Sequence, residues 1–109
     1  MEIYKLLKGL GDETRYKLVS HLMSHNHCVK SLANVLNISE SAVSQQLKIL
    51  RELGIVSGEK KGYFTHYYVH KEVIKDIAQS LIDLSLIRQS KKDCKNKTNH
   101  MNCLGKEEN

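Results

Sequence analysis

The sequence predicts a mainly α-helical domain with one small β-hairpin. Three observations carry this expectation. Apolar residues recur at helical spacing in five separate segments, and two of those segments lie only about three residues apart. The stretch richest in aromatic residues is split by a Lys-Lys-Gly run, as two strands joined by a turn would be. A chain of 109 residues suits one domain.

Ile3, Leu6, Leu7 and Leu10 are spaced as one helix face, ended by Gly9 or Gly11. Asp12 is placed to cap a second helix, with Glu13 in the first turn, where the helix dipole favours a negative charge. That helix carries Tyr16, Val19, Leu22 and Met23 on one face and runs to about Ser24. After a polar break, a short helix from Cys28 to Leu36 turns Val29, Leu32, Ala33 and Leu36 inward, and Asn37 supplies a left-handed stop. Ser39 caps the fourth helix, in which Val43, Leu47, Leu50 and Leu53 form one buried stripe, and Gly54 ends it.

The helices at 28–36 and 40–53 must therefore meet at a sharp turn, the helix-turn-helix arrangement. The outward face of the second shows Ser41, Ala42, Ser44, Gln45, Lys48 and Arg51. Hydroxyls, amides and cations are the groups that read base edges and phosphates. Residues 55–69 then read as two strands, with Lys60, Lys61 and Gly62 at the turn and Tyr63, Phe64, Tyr67 and Tyr68 as strand formers. A helix-turn-helix followed by a basic-tipped hairpin is the winged helix-turn-helix pattern, with Lys60 and Lys61 placed to lie along the phosphate backbone or minor groove.

The last periodic segment has Val73, Ile77, Leu81 and Leu84 on one stripe and Ile74, Ala78 and Ile82 on the next. A face that wide must bury two sides. The domain core takes one, and a second copy of the chain takes the other, which predicts a homodimer through the first and last helices. Residues 1–90 thus form the DNA-binding and dimerisation domain. Residues 91–109 form a polar tail containing Cys and His, without period and expected to be disordered.

A net charge of +5 and a pI near 9.1 fit a polyanionic partner. No apolar run approaches a membrane span and the N-terminus lacks the apolar stretch of a signal peptide, so the expected location is the cytoplasm. Three cysteines in that setting read as free thiols or metal ligands. No Gly-rich phosphate loop, nucleophile–base pair or HExxH helix is present, which argues against an enzyme.

From LKGLGDETRYKLVSHL through HCVKSLANVLNISESAVSQQLKILRELGIVSGEKKGYFTHYYV, the chain resembles the ArsR/SmtB family of metal-responsive winged-helix repressors over roughly residues 5–87. LGDETR and SESAVSQQLKILRELGIV are the most specific parts. The resemblance implies a homodimer that sits on double-stranded operator DNA and leaves it when an inducer binds. It places the base-reading positions on Ser41, Ala42, Ser44, Gln45 and Gln46, and the cations beside them, Lys48 with Lys60 and Lys61 of the hairpin, are read here as phosphate contacts. Members often carry one or two histidines where this chain has Gln45 and Gln46, and Gln suits an adenine edge bidentately.

Two inducer sites are known in the family. One uses a Cys-Val-Cys or Cys-Val-Gly segment at the start of the third helix. Here Cys28 matches its first cysteine, Lys30 replaces the second, and His25 and His27 lie nearby. The other uses acidic and histidine residues on the last helix. No His occurs between His70 and His100, so that zinc-type site is absent. The candidate ligands are therefore Cys28, Cys94, His100 and Cys103, a set that favours soft ions or metalloids such as As(III), Cd(II), Pb(II), Cu(I) or Zn(II). Three alternatives stand beside this. The cysteines are inert; or Cys28 and a tail cysteine form a thiol-redox or sulfide-responsive switch; or the domain is a ligand-independent interaction module.

Overall fold

In a computed structural model, which describes residues 2–89, five helices and one hairpin follow in the order α1 (Ile3–Leu10), α2 (Glu13–Ser24), α3 (Val29–Leu36), α4 (Glu40–Glu52), β1 (Val56–Lys61), β2 (Phe64–Val69) and α5 (Lys71–Ser85). Asp12 caps α2 by accepting from the Arg15 backbone N–H at 3.1 Å. Ser39 caps α4 through the Ala42 N–H at 3.0 Å. Each cap satisfies a donor that the first turn of a helix leaves without a partner.

The helix ends are equally specific. Asn37 sits in the left-handed region (φ 57°, ψ 48°), and the Ile38 N–H turns back to the Ala33 carbonyl at 3.1 Å. At the end of α4, Gly54 has φ 77°, its N–H donates to Arg51 O at 2.9 Å, and Ile55 N–H donates to Leu50 O at 3.0 Å. That pair of reversed bonds is a Schellman ending, which needs a residue able to take positive φ. Gly11, not Gly9, ends α1. Gly9 is buried inside that helix, and a Cβ there would collide with the Leu53 side chain, so the glycine lets α1 approach the end of α4.

The core is one cluster. Leu18, Leu32, Val43, Leu47, Leu50, Ile55 and Val56 are all but fully buried, with Leu6, Val19, Leu22, Ala33, Val69 and Ile77 around them. The α4 stripe lies inward as its spacing requires. The face of α2 differs from the sequence reading: Leu18, Val19 and Leu22 are buried, whereas Tyr16 is 63% exposed and Met23 lies at the surface. Three adjacent apolar positions make the tighter stripe, and a tyrosine keeps its hydroxyl wet at little cost.

β1 and β2 pair antiparallel with Val56 opposite Val69 and Lys61 opposite Phe64. The turn is therefore Gly62–Tyr63, and Lys60 and Lys61 lie on the strand rather than in the turn. Gly62 has φ 63° and Tyr63 does not have positive φ, the combination of a two-residue type II′ turn. The hairpin is anchored at its base by two backbone bonds, Tyr67 N to His27 O at 2.8 Å and His70 N to Ile55 O at 2.9 Å. α5 ends at Ser85, one residue beyond Leu84, the last position of its apolar pattern.

Candidate nucleic-acid interface

The turn of three residues between α3 and α4 sets the two helices at an angle that leaves one side of α4 outside the core. Val43, Leu47 and Leu50 hold the inner side. On the outer side Ser41, Ser44, Gln45 and Lys48 are exposed, and Ala42 and Gln46 are half-buried. Glu40 stands in the first turn, where it meets the positive end of the helix. Small and amide side chains near the start of an exposed helix allow close approach to base edges.

Gln46 is already engaged. Its Oε1 accepts from Arg15 Nη1 at 2.8 Å, and Arg15 Nε donates to the Gly9 carbonyl at 2.6 Å. Arg15 therefore joins the end of α1, the start of α2 and the outward helix. No sequence reading found this residue, because the contact spans 31 positions and has no local pattern.

On the hairpin, Lys60 and Lys61 are exposed near the tip, and Lys61 lies 3.8 Å from Glu59 on the same strand face. Tyr63 is fully exposed at the turn, and Phe64 is 53% exposed beside it. The structure thus brings the expected cations to one end of the wing, beside an aromatic tip in which Tyr63 lies in the turn and not on a strand as its residue type suggests.

Cys28 is the N-cap of α3 and half-buried. The backbone N–H of Ser31 stabilises the thiolate and, outweighing the opposing effect of burial and aided more weakly by the Ser31 hydroxyl, holds the thiol below its ordinary pKa. Ser31 also bonds His27 Nδ1 at 3.1 Å. His27 is buried, with its Nε2 unpartnered among the described residues, and its ring stands 4.3 Å from that of His25 and 6.4 Å from that of His21. Among the described residues no group of three or more His, Cys, Asp or Glu is arranged to hold a metal ion. Cys28 alone is an incomplete donor set, and Cys94, His100 and Cys103 lie outside the described residues.

A short-turn helix pair, an outward polar helix and a basic antiparallel hairpin define a winged helix-turn-helix protein of the nucleic-acid-binding class. The profile of the family described as bacterial regulatory protein, arsR family, matches residues 12–57. The chain is 30% identical over 71 residues to the transcriptional repressor SdpR of Bacillus subtilis (strain 168), covering 65% of this chain and 79% of that one. It is 31% identical over 80 residues to a cadmium resistance transcriptional regulatory protein CadC homolog of Staphylococcus aureus, covering 72% of this chain and 66% of that relative's length. The solved structure of an ArsR-like transcriptional regulator from Rhodococcus sp. RHA1 matches with a TM-score of 0.70 at 25% identity, over 76% of this chain and 78% of that one. The chain belongs to the arsR family of bacterial regulatory proteins. Among the described residues no helix is long and apolar enough to cross a membrane.

Proposed function

We propose that this chain is a homodimeric transcriptional repressor that binds double-stranded operator DNA and is released by a soft metal or metalloid ion bound through cysteines. The outward face of α4 carries the reading. Ser41, Ala42, Ser44, Gln45 and Gln46 meet base edges, and Lys48, Lys60 and Lys61 meet phosphates. Support for the dimer comes from the end of α5 and the residues just after it, where Leu81, Ile82, Leu84, Leu86 and Ile87 are 44–72% exposed among the described residues. A dimer places two α4 helices one turn of duplex apart, about 34–36 Å, so the operator is an imperfect palindrome.

Cys28 is the one described ligand of the proposed inducer site, and Cys94, His100 and Cys103 supply the other donors. The relatives divide on this point: one is named for cadmium resistance, another simply as a repressor. The lowered pKa of Cys28 also favours a second reading, in which a two-electron thiol oxidant, or polysulfide sulfur already at the oxidised level, joins Cys28 and a tail cysteine and takes up the two electrons released. Release requires the inducer to bind the DNA-free dimer more tightly than the DNA-bound one.

Selection of duplexes from host genomic fragments by the purified full chain, followed by gel shift, tests the binding. Recovery of one palindrome is the expected result, and no preference over random competitor overturns it. Titration of that complex with Cd(II), arsenite or diamide, in wild type and in Cys28→Ser, Cys94→Ser and Cys103→Ser together, separates the inducers. A triple variant that still releases DNA with each of them removes the cysteines from the switch.

A further inference from the structure

Arg15 and Gln46 meet where α2 passes beneath α4, and their contact limits what Gln46 can read. A guanidinium only donates hydrogen bonds, whereas a primary amide both donates and accepts. The amide facing Arg15 therefore has one orientation, with Oε1 turned inward at 2.8 Å from Nη1 and the NH2 group left for another partner. The guanidinium cannot easily swing aside, because Nε is fixed to the Gly9 carbonyl at 2.6 Å and Asp12 caps its backbone N–H. Both side chains are half-buried, so water weakens the contact less than it would at an open surface.

An adenine edge uses both halves of an amide: the NH2 donates to N7 while the carbonyl accepts from N6. We propose that Arg15 is a positioning residue that fixes Gln46 as a hydrogen-bond donor towards DNA, so that Gln46 selects a purine through N7 without separating adenine from guanine. The inference rests on the operator-binding reading and makes it more specific. Guanine offers O6 beside N7, so a donor-only amide meets it as readily as adenine. The same guanidinium also bonds the end of α1, so one side chain holds Gln46 against two other helices.

The test starts from duplexes selected by the wild-type full chain from a random library. The base pair read by Gln46 is the one at which Gln46→Ala loses discrimination. At that position wild type is expected to bind adenine and guanine within about threefold, whereas Arg15→Ala frees the carbonyl and gains roughly tenfold in favour of adenine. Arg15→Lys retains a donor for Oε1 and restores the wild-type tolerance. Gln46→Glu keeps a partner for the guanidinium and so keeps its melting temperature, but loses the donor, and its operator affinity falls roughly tenfold.

Wild type that prefers adenine about tenfold, folded Arg15→Ala with unchanged base preference, or Gln46→Ala with discrimination intact at every position overturns the proposal. If Arg15→Ala does not fold, the wild-type ratio and the Gln46→Glu pair of measurements decide it alone. Failure to select any duplex from the library is a different result: it removes operator binding itself, and this inference with it.

Discussion

Single side chains decide more here than their size suggests. His27 is buried at the junction of α3 and β2, and burial, followed by the neighbouring His25, His21 and His66, holds its pKa below the ordinary histidine value. The folded state then takes up a proton less readily than the unfolded chain. Stability is accordingly full above the unfolded pKa of about 6.5 and falls as pH drops through that value towards the folded one. The urea midpoint is expected to be lower at about pH 5.5 than at about pH 7.5, and His27→Gln to flatten this dependence. An unchanged slope in the variant removes His27 as its source. Caps act at the same scale. Ser39→Ala leaves the Ala42 N–H without its acceptor and is expected to lower unfolding stability by about 1 kcal/mol in denaturant titration.

At the level of elements, the legible parts of the sequence were those with local causes. The caps at Asp12 and Ser39, the left-handed Asn37 and the Gly54 ending follow from neighbours within a few residues, and each is observed. The hairpin turn was read two residues early because Lys-Lys-Gly is turn-like by composition, whereas Gly-Tyr satisfies the backbone demand of a II′ turn. The outward set on α4 was visible from periodicity, but the Arg15 contact was not, since long-range pairing leaves no spacing signal. Moving Lys60 and Lys61 from turn to strand keeps them near the tip but gives them distinct faces. Lys61 shares its face with Glu59, and an exposed pair of that kind is worth little. Lys60→Ala and Lys61→Ala are each expected to weaken binding evenly across sequences and to flatten the salt dependence of log affinity by about one unit of slope. A slope identical to wild type takes the substituted lysine off the phosphates.

For the whole molecule, α5 is divided along its length, and not by stripe as its periodicity suggests, into a core-packed first half and an exposed second half. Ile77 is buried, and Val73 and Ile74 pack against the domain core. Further along, Leu81, Ile82 and Leu84, with Leu86 and Ile87 just beyond the helix end, have no cover among the described residues. An apolar strip of this kind is costly to leave in water, and the proposed dimer covers it with the same strip of a second copy. The proposed repressor depends on this, because two reading helices joined as one body bind far more tightly than either alone. Replacing Leu81 and Leu84 by Glu leaves the core residues untouched, so the helical circular dichroism is expected to persist. Sedimentation should then show a monomer, and operator affinity should fall by roughly 10²–10⁴-fold through loss of the second contact. A doubly substituted chain that sediments as wild type, or a monomer that holds the palindrome with wild-type affinity, shows that α5 is not what brings the two reading helices together.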